Sequence, residues 1–178
     1  MYKGAVALGN QEYLEIRELV AAAVRDRNAY VAVVKYYEVS LRRYIRRQLG
    51  RHGEMTDDIL QEAFIKAYVN LKDYDGERNF GPWIYRIAHN EAISFLRRRK
   101  AEPLMVDSET ATAILEQMTD GNDALKDLEK KENTRRVQIA LAALDRRYHD
   151  VLVLRFIEDH SYDEISEILV MRPGTVAT

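Results

Sequence analysis

Apolar residues recur along this chain at intervals of three and four, the period of a helix buried on one side. Runs that alternate as a half-buried strand would are few, so the pattern predicts an all-α fold. A first helix is expected from Gln11 to about Arg27. A second runs from near Ala29 to Leu49, with Val34, Tyr37, Leu41, Tyr44, Ile45 and Leu49 at helical spacing. Gly50 to Gly53 interrupts it. Thr56-Asp57, residue types that favour helix starts, open a third helix that reaches about Leu71. Lys72 to Pro82 reads as a loop punctuated by Gly76, Gly81 and Pro82. A fourth helix begins at Pro82-Trp83, where proline suits a first turn, and reaches Lys100.

From 101 to about 131 the periodicity fades, leaving a linker with room for a short helix near Thr112 to Met118. Helices resume from about Glu132 to Leu144 and from Arg146 to Ile157, and a last hairpin starts at Ser161. Two small helical domains follow from this, residues 1–100 and 132–178, tied by residues 101–131.

Charge sharpens the division. The net charge is only −2 over 178 residues, yet it is blocked rather than mixed. Arg42, Arg43, Arg46, Arg47 and Arg51 cluster, and Arg97, Arg98, Arg99 and Lys100 form a basic run. Between Glu102 and Glu132 nine acids face three lysines, a net of −6. The two basic blocks flag nucleic acid as a partner despite the total.

Composition excludes several classes. Without cysteine there is no disulfide scaffold, thiol catalysis or cysteine-held zinc. The four histidines are scattered, and no glycine-rich phosphate loop or nucleophile–base pair stands out, so neither an enzyme, a cofactor nor a metal is expected. No apolar run approaches the roughly 20 residues of a membrane span, and the N-terminus makes a poor signal peptide. No membrane insertion and a cytoplasmic location are expected.

Three constellations remain. At 100° per residue, Ile84, Ala88, Ala92, Phe95 and Leu96 share one side of the fourth helix and suit its core. Trp83, Arg86, Asn90, Ser94 and Arg97 gather roughly opposite. An aromatic ring, an amide and guanidinium groups on one stripe suit unpaired nucleic acid: rings stack on bases, arginines hold phosphates, and the amide bonds a base edge. Tyr74, Asn79 and Phe80 in the preceding loop add to it. The same residues also suit an ordinary solvated face with a half-buried tryptophan.

On the third helix, Ile59, Leu60, Ala63, Phe64, Ala67, Tyr68 and Leu71 make the core stripe. Asp58, Gln61, Glu62, Ile65 and Val69 fill the other side, where apolar groups among carboxylates fit a protein partner presenting arginines. A helix buried on both sides, with Asp57 and Asp58 capping its start, is the plainer alternative. Near the C-terminus, Ser161-Tyr162-Asp163-Glu164 fits a capping box. A turn at Val170-Met171-Arg172 then leads to Pro173-Gly174-Thr175-Val176, the plan of a helix-turn-helix or of a simple helical hairpin.

Two blocks then carry a resemblance. Asp58-Ile59-Leu60-Gln61-Glu62-Ala63-Phe64-Ile65-Lys66-Ala67-Tyr68 and Phe80-Gly81-Pro82-Trp83-Ile84-Tyr85-Arg86-Ile87-Ala88-His89-Asn90 closely resemble region 2 of the extracytoplasmic-function (ECF) sigma factors, in the sigma-70 family. Val151 to Phe156, Ser161 to Ile165 and Pro173 to Val176 resemble region 4 of the same family. The resemblance implies a protein that carries RNA polymerase to promoters. Asp58, Gln61, Glu62 and Ile65 would dock on core RNA polymerase. Tyr74, Asn79, Phe80, Trp83, Arg86, Asn90 and Arg97 would hold the melted −10 strand, with Asn90 at a pocket for a flipped base. Arg172, Gly174, Thr175 and Thr178 would read the −35 element as duplex promoter DNA. An anti-sigma factor is the further partner it implies.

Departures from the family pattern are Asp145 in place of a usual proline, Asp159-His160 in place of glycine and an apolar residue, and Ala177 in place of a frequent arginine or lysine. The sequence stops at Thr178, about one turn into the recognition helix, so a truncated region 4 is expected. The competing reading is a helix-turn-helix regulator acting on duplex operators without polymerase; it leaves the Trp83/Asn90 stripe and the Ile65/Val69 face without a purpose.

Overall fold

Every regular element among the described residues is helical: the computed structural model describes residues 10–101, 141 and 144–176. Four helices build the N-terminal unit: α1 (Asn10–Arg25), α2 (Tyr30–Leu49), α3 (Thr56–Val69) and α4 (Phe80–Ala101). The C-terminal unit comprises α5 (Arg146–Leu152), α6 (Tyr162–Leu169) and α7 (Pro173–Val176). The expected short helix near Thr112 to Met118 and the linker fall outside the described residues, as does most of the stretch from Glu132 to Leu144.

The core of the N-terminal unit is the meeting of four apolar stripes. Val33, Tyr37, Leu41, Tyr44, Ile45 and Leu49 of α2 are buried against Ile59, Leu60, Ala63, Phe64 and Ala67 of α3 and Ile84, Ala88, Ala92 and Phe95 of α4, while Ile16, Val20 and Ala23 of α1 close the side. Each large side chain withdrawn from water here contributes on the order of 1.5–3 kcal/mol. Tyr30 Oη donates to the Phe64 carbonyl at 2.8 Å, tying the start of α2 to the end of α3.

Helix ends differ from the expected ones for local reasons. α1 stops at Arg25 because Asp26 is extended and its carboxylate accepts the Asn28 N–H at 2.9 Å, starting a separate 3-10 turn over Arg27–Ala29. Gly50–Met55 is a 3-10 segment rather than a plain break, entered through Gly50 at φ +54°, a conformation that suits a residue without Cβ. Thr56 does not cap α3: it is buried, and its hydroxyl donates back to the Gly53 carbonyl at 2.6 Å. α3 ends at Val69, and Leu71–Asp73 forms a further 3-10 turn inside the expected loop.

In the C-terminal unit, Asp145 caps α5 by accepting the Arg147 N–H at 3.1 Å; this bond, with the Arg147 side chain, holds its carboxyl below the usual range. The expected helix from Arg146 to Ile157 is not uniform. Its last five residues, Val153–Ile157, widen into a π-turn, and the Glu158 N–H reaches back to the Val153 carbonyl at 3.0 Å. Asp159 then takes φ +58°, which swings His160 inward. The capping box forms in full: Ser161 Oγ accepts the Glu164 N–H, and Glu164 accepts the Ser161 N–H at 2.9 Å. Among the described residues, Val153, Leu154, Ile165, Ile168 and Val176 are the buried apolar ones of this unit.

The two units do not stand apart. α6 lies along α4, so the C-terminal unit covers part of the fourth helix.

Candidate nucleic-acid interface

Asn79 starts α4. Its Oδ1 accepts the Gly81 N–H at 3.1 Å, so the helix opens at Phe80, two residues before the proline expected to begin it. Asparagine before Phe-Gly-Pro was a readable signal for this start.

Just ahead, Tyr74 donates its phenol to the Arg78 carbonyl, closing the 74–78 turn, and burial pushes that phenol up to about 12. Three rings then pack as a cluster: Tyr74 on Phe80 at 5.1 Å, Tyr74 on Trp83 at 5.4 Å, and Phe80 on Trp83 at 5.2 Å between centroids. Phe80 is only 2% exposed and also meets Tyr37. Its ring therefore packs behind Trp83 and Tyr74, enclosed rather than on the surface where the sequence suggested it.

Tyr74, Asn79, Trp83 and Arg86 line one open hollow together with Pro82 and Arg78. Asn90 is exposed further along α4, and Arg97 is exposed beyond it. The stripe therefore lies on one side of α4, exposed at Asn90 and Arg97 and half-buried beside α6 at Trp83 and Arg86. Its opposite side is core, as expected, with Ile84, Ala88 and Ala92 fully enclosed.

α3 shows the predicted second surface. Asp58, Gln61 and Glu62 are exposed, and Ile65 and Val69 are 49% and 68% exposed, large values for branched apolar side chains. The expected core residue Tyr68 instead lies 36% exposed, its ring on Tyr30 at 5.1 Å with the Arg27 guanidinium over it. Tyr68 belongs to a groove between α2 and α3 that also takes in Val31, Val34, Glu38, Gln61 and Ile65. Arg42 spans one end, bonding Glu38 at 2.7 Å and pairing with Asp57. Val31, Val34, Glu38 and Arg42 recur every three to four residues, a second stripe on α2 beside its core stripe.

At the C-terminus, Arg172, Gly174 and Thr175 are exposed around the start of α7. Val170 at φ +53° ends α6, and the Met171 N–H returns to the Ser166 carbonyl at 3.0 Å, making the tight turn of a helix-turn-helix. Thr178 lies outside the described residues.

What no local pattern announced is the polar seam between the units. Glu158 is 1% exposed and accepts Arg47 Nη1 at 2.6 Å and Tyr85 Oη at 3.3 Å. His160, equally buried, packs edge-on against Tyr85 at 4.6 Å. Arg146 donates to Gln48 Oε1 at 2.6 Å. His89 stands 3.8 Å from Asp150 while its Nδ1 meets Tyr44 Oη at 2.8 Å. Burial pulls the His89 imidazole below its ordinary value, against the raising effect of Asp150. Asn79 Nδ2 donates to Glu164 Oε1 at 3.0 Å.

Residues 33–102 match the family described as sigma-70 region 2, and residues 134–178 match sigma-70, region 4. The ECF RNA polymerase sigma factor SigW of Bacillus subtilis is 37% identical over 161 residues, covering 86% of this chain and 83% of the relative. The RNA polymerase sigma-H factor of Pseudomonas aeruginosa is 33% identical over 159 residues, covering 85% and 80%. Among solved structures, CnrH in complex with the cytosolic domain of CnrY shares the fold, with a TM-score of 0.64 at 23% identity over 90% of this chain and 86% of the other. With a matched pair of helical regions in order and relatives of this identity along most of its length, the chain belongs to the ECF RNA polymerase sigma factors of the sigma-70 family, which direct transcription initiation from specific promoters.

Proposed function

We propose that the ring, amide and guanidinium side of α4 captures the separated non-template strand of the −10 element, while the exposed face of α3 and its groove with α2 seat on core polymerase. The observation that carries the first half is the hollow shared by Tyr74, Asn79, Trp83 and Arg86, bordered by Glu167 of α6 and continued by the exposed Asn90 and Arg97. Rings there offer stacking worth about 1–3 kcal/mol per base, and the arginines supply phosphate contacts. Phe80 acts from behind, holding Trp83 and Tyr74 in place.

For the second half, Asp58, Gln61 and Glu62 ring the apolar Ile65 and Val69, a set that matches a partner surface with arginines. Arg172, Gly174 and Thr175 at the start of α7, with Thr178 beyond, are assigned to the −35 duplex. The working division is residues 1–100 for polymerase binding and strand capture, 101–131 as tether, and 132–178 for the −35 element. The chain works without catalysis of its own, in the cytoplasm where the polymerase is. CnrH was solved with the cytosolic domain of another protein, which supports an anti-sigma partner for this chain too.

The test uses a promoter identified by mapping RNA start sites after overexpression. Asn90→Ala should slow promoter opening about tenfold, the loss of one good base contact, with polymerase binding unchanged. Glu62→Arg should weaken polymerase binding by about tenfold or more by setting like charges together. Should both variants act only by lowering the melting temperature, these site assignments are wrong.

A further inference from the structure

We infer that the Lys66–Glu91 ion pair fixes how α4 is turned against α3, and with it the angle at which Asn90 is offered to the strand. Both are positioning residues, acting through Asn90 rather than on DNA. This rests on the assignment of that side of α4 to the separated strand.

The pair stands at a border. On α3, Ile59, Ala63, Lys66 and, just past the helix end, Asn70 follow at intervals of four, three and four, and so share one edge. The other edge of its buried side, with Leu60 and Phe64, lines the groove with α2. On α4, at about 100° per residue, Ile87 and Glu91 lie between the enclosed Ala88 and the exposed Asn90. Lys66 Nζ donates to Glu91 Oε2 at 2.7 Å. The edge of α4 that meets α3 therefore adjoins the stripe of Trp83, Arg86, Asn90 and Arg97, and any rotation that moves Glu91 moves Asn90 with it.

Apolar packing alone holds this setting loosely. α3 lies along α4, and each gives the core two alanines one turn apart, Ala63 with Ala67 and Ala88 with Ala92, all wholly enclosed. A methyl group raises only a shallow ridge. Such a contact resists separation, but it opposes rotation about the helix axis less than interlocked long side chains would.

The pair supplies what alanine lacks. Among the described residues it is the only ion pair that joins the two helices. The Glu91 side chain is 13% exposed and that of Lys66 50%, so the carboxylate is largely withdrawn from water while the ammonium keeps much of its hydration. A pair screened in this way adds little to stability, yet it is short and directional. Its α3 end is itself secured: the Lys66 carbonyl accepts both the Asn70 N–H at 3.0 Å and the Asn70 side-chain amide at 2.7 Å. A cation in the last turn also suits the negative end of the helix.

The experiment uses holoenzyme reconstituted with full-length chain on the mapped promoter and on a copy with one base of the −10 element replaced. Opening rates on both are read at saturating polymerase, because Lys66 borders the polymerase-facing side of α3. Polymerase affinity and the melting temperature of the free chain are read beside them. Glu91→Leu should slow opening on the mapped promoter about fivefold, the effect of one partly screened pair. It should also narrow the ratio between the two promoters, with polymerase affinity and melting close to wild type. Glu91→Gln, which still accepts from Lys66, should stay near the wild-type rate. Lys66→Glu with Glu91→Lys should recover both rate and ratio. A role confined to stability would instead lower melting and polymerase affinity together and leave the ratio alone.

An unchanged rate in Glu91→Leu overturns the inference, and so does a slowed rate with an unchanged ratio or a reversed pair that recovers neither. Lys66→Met, which keeps the stem and removes the charge, carries the same test if Glu91→Leu fails to fold by circular dichroism. Asn90→Ala separates this inference from the reading beneath it. If Asn90→Ala slows opening and Glu91→Leu does not, strand capture stands and only the role of the pair falls; if neither does, strand capture falls as well.

Discussion

The inside of the N-terminal unit and the seam between the units are both buried, yet they are made of different matter. Between α2, α3 and α4 the enclosed side chains are nearly all aliphatic and aromatic, with Leu41, Ile45, Ala63, Ile84 and Ala88 wholly shielded. Along the seam the apolar packing continues, but buried Glu158, His160 and Asp150 are set into it, with Arg47 and Arg146 reaching across. Apolar burial has no state in water that competes with it, so it defines a permanent fold. Charged burial competes directly with hydration, so it defines an arrangement that can be exchanged. The same chain therefore contains one contact whose burial is almost purely apolar and another in which hydration competes with part of what is buried.

Changes on the two sides should accordingly differ in size and in kind. Leu41→Ala, at the centre of the core, should cost about 2–5 kcal/mol in urea unfolding, the loss of a large buried side chain plus its cavity. Seam variants such as Arg47→Glu should shift the unfolding midpoint far less while changing the distance between units; a seam variant as damaging as Leu41→Ala would erase the distinction. Next in size is Ser161→Ala, which removes the capping box of α6 and should lower stability by about 1 kcal/mol. Fraying there should be seen first as faster amide exchange in α6, with α3 unchanged.

The smallest effect is one of pH. The His89 imidazole is held below its ordinary 6.5 by burial at the seam, opposed in part by Asp150 and assisted by Arg146 and His149. Tyr44 and Tyr85 also face this region, both pushed up chiefly by burial and so uncharged throughout the relevant range. A depressed folded value means that the folded chain binds fewer protons than the unfolded one below 6.5. The contribution of His89 is therefore intact above 6.5 and is lost as the pH falls below it. Melting at pH 5.5 should therefore come below melting at pH 7.5, and His89→Gln should remove the part of that difference due to this group.

How far the sequence could be read follows the same divide. Local physics was legible: the spacing of Tyr37, Leu41, Tyr44 and Ile45 placed α2, and Ser161 with Glu164 marked the start of α6. Exposed Ile65 and Val69 followed from their place off the core stripe of α3. What escaped was set at a distance. Arg47 and Glu158 are 111 residues apart, and no periodicity pairs them. Phe80 looked available beside Trp83 because only the closed loop and Tyr37 reveal what lies over it. Tyr85 carried no mark of burial either; the C-terminal unit supplies His160 and Glu158 against it. Tyr68 was assigned to the core by its spacing, although the groove between α2 and α3 leaves its ring at the rim.

Asn79 does two jobs with the two ends of one amide. Its oxygen fastens the first turn of α4 from within, while its nitrogen is lent to Glu164 across the seam. Loss of the contact to Glu164 would therefore leave the first turn of α4, and with it the alignment of Trp83 and Arg86, still anchored by the oxygen. A ligand met by a surface already in shape spends less ordering entropy on binding.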